Sequence, residues 1–140
     1  MSEERQRGVE LFNATWRLIE SREDDELMLH MAHASAYHWA AAPECEPANR
    51  ARGEWLVARV SALCGLADAA RFHAESCLHW CEEHGLEDWD LAFAYEALAR
   101  AAKVAGDEPA AARYAEQAAA VSIAEADDRE LLARDLQTLV

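Results

Sequence analysis

Four side chains able to ligate a soft metal, His73, Cys77, Cys81 and His84, follow one another at spacings of four, four and three residues. On a helix that turns ~100° per residue they fall within one narrow stripe, and thiolate and imidazole are good ligands for zinc or copper. At ~1.5 Å rise per residue, however, the ends of that stripe lie about 16 Å apart, so one ion could take only an adjacent pair such as His73 with Cys77. The remaining ligands would have to come from Cys64, Cys45, His30 or His33, and no CxxC or equivalent spacing demands it. The competing reading of Cys77 and Cys81 is packing, because a reduced cysteine serves as a small hydrophobe wherever two helices approach closely.

A second histidine group lies in LMLHMAHASAYHWA (27–40), where His30 and His33 are neighbours on a helix and His38 points elsewhere. This segment resembles the histidine-bearing helix of DinB-like metal-dependent four-helix bundles, and that resemblance implies an enzymatic alternative with His30 and His33 as metal ligands. No other catalytic arrangement is present: the glycines form no phosphate-cradling loop, and there is no GxSxG, HExxH or Walker pattern. The leading expectation is therefore a non-catalytic protein with no cofactor, and metal binding stands as the alternative.

The balance of charge bears on partners. A formal net charge of -14 argues against phosphate-backbone binding, which draws on clustered Lys and Arg, so no nucleic-acid partner is expected. The acidic residues are spread along the chain rather than massed, as solvated helix faces are. No stretch approaches the ~18 apolar residues of a membrane helix and the first ten residues do not form a signal peptide, so a soluble, cytoplasmic protein with no membrane partner is expected. The four cysteines lack the spacing of a disulfide framework and read as reduced thiols. Lys103 is the only lysine among many arginines in an alanine-rich chain, a bias expected of a GC-rich bacterial genome.

The elements that must position these groups are helices. Apolar residues recur at three- and four-residue spacing in seven segments, 5–21, 25–41, 49–64, 67–83, 90–105, 108–124 and 128–139, and no segment alternates as a strand would. Few prolines and glycines occur, and they are read as punctuation between these segments. A shift of forty-one residues lays Gly65 on Gly106 and brings Asp24 into the same turn. The same shift lays Ala70 on Ala111, Cys77 on Ala118 and Ala36, Trp80 on Trp39, and Val57 on Leu98 and Trp16, so each unit is a helix, a tight turn and a second helix. The units run over about 5–41, 49–83 and 90–124 of a single domain spanning 1–140, and the helix at 128–139, with Asp127 and Glu130 giving a capping-box-like start and Arg129, Arg134 and Asp135 on its wet side, closes the open end.

The run AYEALARAAKVAGDEPAAARYAEQAAA (94–120) resembles a tetratricopeptide repeat, with Tyr95, Leu98, Ala99, Gly106, Asp107, Ala111 and Ala118 at the family's large, small and turn positions. In the second unit Val57, Ala58, Gly65, Ala70 and Cys77 fit, while Glu54 stands where a large aromatic is usual. The resemblance implies an all-α, right-handed α-solenoid of three helical hairpins plus a C-terminal capping helix. It also implies a concave side lined by the first helix of each hairpin, with Arg52, Trp55, Arg59, Phe93, Glu96, Arg100 and Lys103 turned toward it. Four cations beside two aromatics would suit a protein or peptide partner that is acidic or carboxylate-ended, since guanidinium pairs bidentately with carboxylate. The expected function is thus a scaffold that binds a peptide or partner helix, and self-association into a homo-oligomer is a close variant.

Overall fold

A computed structural model describes all 140 residues, and every regular element in it is an α-helix. Seven occur: α1 (Glu3–Ser21), α2 (Asp25–Ala41), α3 (Pro47–Leu63), α4 (Ala67–His84), α5 (Asp88–Val104), α6 (Glu108–Ala120) and α7 (Ala126–Gln137). The local chemistry of their ends accounts for these bounds. Ser2, Asp24 and Asp107 accept hydrogen bonds from backbone N–H groups at the starts of α1, α2 and α6, satisfying donors that a helix leaves free. Glu46 and Asn49 cap α3 reciprocally, and Pro47 at its first position has no N–H to lose.

Three-residue turns join α1 to α2, α3 to α4 and α5 to α6. In the second and third the middle residue, Gly65 or Gly106, takes a left-handed φ of 74° or 80°, a conformation that glycine adopts without a Cβ penalty. The first turn departs from the repeat register. Its left-handed residue is Arg22, and Asp24, which the forty-one-residue shift placed in the glycine position, instead caps α2.

Consecutive helices pack against each other in hairpins, and α3, α5 and α7 also touch in series. The ring of Trp16 in α1 stacks on Trp55 in α3 at 5.7 Å, and Trp55 meets Phe93 of α5 edge-on at 5.9 Å, so aromatic contact links the first helix of each hairpin. Small residues let the helices approach: Ala58, Ala74 and Ala97 share one buried cluster, and Ala62, Ala70 and Ala101 another. Cys77 and Cys81 lie wholly buried beside Ala51 and Ala94, the packing role that their alanine counterparts foretold.

α1, α3, α5 and α7 each begin two residues before the apolar spacing indicated, and two differences near the C-terminus have identifiable causes. α6 stops at Ala120 rather than 124 because Val121 turns extended and carries Ile123 into the core beside Phe93 and Leu132. The link is then pinned: Ala124 N–H donates to Asp88, and the Arg129 guanidinium donates to the Ile123 and Ala124 carbonyls. α7 begins at Ala126 after Glu125, without a side-chain cap, so the capping box expected from Asp127 and Glu130 does not form. Two of the five glycines are not punctuation at all. Gly8 lies inside α1 and Gly53 inside α3, each facing a neighbouring helix.

Candidate functional site

Placed on these helices, the seven residues expected to line a groove separate into three environments. Arg52 on α3 reaches Asp90 on α5 through Nε and Nη2, at 3.0 and 3.1 Å, with its guanidinium 4.9 Å above the Trp89 ring. Lys103 pairs loosely with Glu108 at the surface. Phe93 is buried in the cluster with Ile123 and Leu132, and Trp55 is half-buried at the junction of several clusters.

The third environment corrects the expectation most. Glu96 is completely buried, and its Oε1 accepts from Arg59 at 3.0 Å and from Arg100 at 2.9 Å. Arg100 also donates to the Asp135 carbonyl and to Thr138, while Arg59 lies 3.7 Å from the Asp135 carboxylate. Both arginine side chains are only 13% exposed. Asp135, placed by sequence on the wet side of α7, therefore faces inward to this cluster. A buried carboxylate needs such partners, since an unpaired charge at low dielectric costs several kcal/mol, about 3–5 when one member is removed. The cations Arg59 and Arg100 thus join α3, α5 and α7 within the chain itself.

The histidines and cysteines are dispersed. His73 on α4 hydrogen-bonds Glu54 on α3 at 2.7 Å, which gives the residue standing in an aromatic position a polar partner of its own. The His33 ring of α2 meets His73 edge-on at 5.5 Å and His30 lies one turn away, both on the exposed side of the helix. Desolvation, helped by the nearby His73, pulls the His33 pKa below its ordinary value. His84 stacks on Trp80, and His38 pairs with Glu4 on α1. No three His, Cys, Asp or Glu side chains converge at metal-binding distance, so the stripe of His73, Cys77, Cys81 and His84 divides between a polar pair, a buried packing contact and a surface stack. In the buried part, hydrogen bonding to Cys81 and burial push the Cys77 thiol well up, and the same bond lowers Cys81.

Sequence reasoning missed a cleft of about 280 Å³ where α1, α2 and α3 meet, lined by Arg5, Phe12, Asn13, Trp39, Asn49 and Arg52. Val9 and Gly53 complete the lining. Gly8 lets α1 close on Trp39, for a Cβ there would stand 2.7 Å from the indole. The two glycines inside helices were the available signal, because glycine costs a helix roughly 1 kcal/mol relative to alanine and is informative where two elements approach.

The chain matches no family model, no curated protein and no solved structure. No helix is long and apolar enough to cross a membrane.

Proposed function

We propose that the chain is a tetratricopeptide-like, right-handed α-solenoid of three hairpins closed by a capping helix, acting as a non-catalytic module that binds a protein segment along the face shared by its odd-numbered helices. The observation that carries this reading is the serial contact of α3, α5 and α7, extended to α1 by the Trp16–Trp55 stack, which makes one continuous face from elements far apart in sequence. Repetitive helical arrays use such faces to hold extended or helical partners.

The buried cluster changes which residues would do the binding. Arg59, Glu96, Arg100 and Phe93 hold the face together, whereas Arg52 and Lys103, 41% and 39% exposed, are the cations an acidic partner would reach, in competition with their present partners Asp90 and Glu108. Rim charges of this kind steer association and set specificity more than they add affinity.

The test is a screen of the immobilised chain against acidic peptides with free and amidated ends, repeated with an Arg52→Glu and Lys103→Glu double variant. Saturable binding to acidic sequences that drops at least about tenfold in the variant supports the module. Absence of any saturable peptide removes it. Elemental mass spectrometry on the same preparation checks the metal-binding alternative, which stoichiometric zinc or copper would put in its place.

A further inference from the structure

The cleft between α1, α2 and α3 differs in charge from the rest of this acidic molecule. Its lining contains two arginines and two asparagines and no Asp or Glu. The clefts between α4, α5 and α6, beside the α5 start, and between α2 and α3 all include carboxylates. The one between α6 and α7 is apolar apart from Arg129, whose guanidinium is already bonded to two carbonyls.

Several donors of the cleft have no partner within the chain, although Arg52 is partly engaged. The Arg5 guanidinium makes no hydrogen bond or ion pair within the chain, its Nε is buried without a partner, and it sits 5.6 Å over the Trp39 ring. Arg52 spends Nε and Nη2 on Asp90, which leaves Nη1. Asn49 uses Oδ1 to accept from the Glu46 N–H, so its amide donor is free, and the Asn13 side chain has no partner. Phe12 and Trp39 supply apolar walls. Small-molecule sites combine these two features, apolar surface and a few convergent polar groups, in volumes of roughly 300–1,000 Å³, and this cleft, at about 280 Å³, lies just below that range and suits only a small ligand.

We propose that this cleft binds a small carboxylic acid with a flat apolar body, the carboxylate facing Arg5, Arg52 and the Asn49 amide and the body lying against Phe12 and Trp39. Guanidinium and amide donors match carboxylate geometry, and the cleft's size fits a ring with a short acid arm better than a peptide backbone. The cleft shares Arg52 with the proposed partner face but not Lys103, so Arg5 and Asn49, which lie only in the cleft, are the positions that distinguish the two readings.

Titration calorimetry with phenylacetate, benzyl alcohol and phenyl phosphate tests it, with Trp fluorescence followed in parallel. Phenylacetate should bind once per chain, and benzyl alcohol and phenyl phosphate at least about tenfold more weakly. Arg5→Gln should weaken phenylacetate by a similar factor, while Arg17→Gln, on the same helix but outside the cleft, should not. If Arg5→Gln unfolds the chain, Asn49→Asp replaces it, since the aspartate keeps the acceptor that caps α3 and brings a repelling charge. Lack of saturable phenylacetate binding, equal binding of benzyl alcohol or phenyl phosphate, or indifference to both cleft variants overturns the proposal. A peptide ending in a free phenylalanine carboxylate that binds more tightly than phenylacetate overturns the small-molecule assignment.

Discussion

Arg59 and Arg100, forty-one residues apart, donate to the same oxygen, Oε1 of Glu96. Their equivalence under the internal shift becomes physical convergence: successive first helices present the same residue type, and one buried carboxylate is held between them. Glu96→Ala should therefore destabilise the chain by about 3–5 kcal/mol, because two largely buried cations lose the carboxylate they share. Replacing Arg59, Glu96 and Arg100 together by Met, Leu and Met should recover most of that loss. Urea unfolding of the single and triple variants measures both, and a Glu96→Ala cost below about 1 kcal/mol contradicts a buried cluster.

Gly8→Ala should destabilise the chain by about 1–3 kcal/mol even though alanine is the better helix former. The added Cβ would meet the Trp39 indole at 2.7 Å, and the Gly8 carbonyl, which accepts from buried Ser35, would have to shift with the helix. Thermal denaturation gives the sign. A stabilised variant would show that α1 can move away from α2 freely.

Thiol accessibility divides the cysteines into two pairs. Iodoacetamide should modify Cys45 and Cys64 in the native protein, slowly because burial raises both thiols, and should reach Cys77 and Cys81 only on unfolding. Mass spectrometry should thus count two adducts without urea and four with it. A third native adduct would mean that α4 opens from α3 and α5 without global unfolding.

Stability should fall in two stages as pH drops. His33 has a folded pKa below its ordinary 6.5, so the unfolded chain takes up its proton first and stability declines as pH falls through about 6.5. Glu44 accepts from the Ser2 N–H and hydroxyl, which holds its carboxyl at about 2 against 4.5. Its contribution is complete above 4.5 and is lost between there and about 2. Thermal midpoints across pH should lose the first stage in His33→Gln and part of the second in Glu44→Gln; unchanged profiles in both would remove these assignments.

Much of the helical order was readable in the sequence. Six of the seven segments matched their helices to within two or three residues, since apolar spacing and turn residues act locally. The failure at 121–124 came from a tertiary demand, the burial of Ile123, which no local pattern announces. The sites were less legible for the same kind of reason. Helical spacing could align Arg59 with Arg100, but whether they faced solvent depended on Glu96 and Asp135 arriving from α5 and α7. The anion-poor cleft needs side chains from three helices, and only its helix-interior glycines hinted at it.

The indole of Trp55 rests against four of the five buried clusters, which together draw residues from all seven helices. The hairpins are therefore not interchangeable cassettes. Deleting, duplicating or transplanting one of them would strip one side of that ring, so the chain holds together as a single block, its internal repetition notwithstanding.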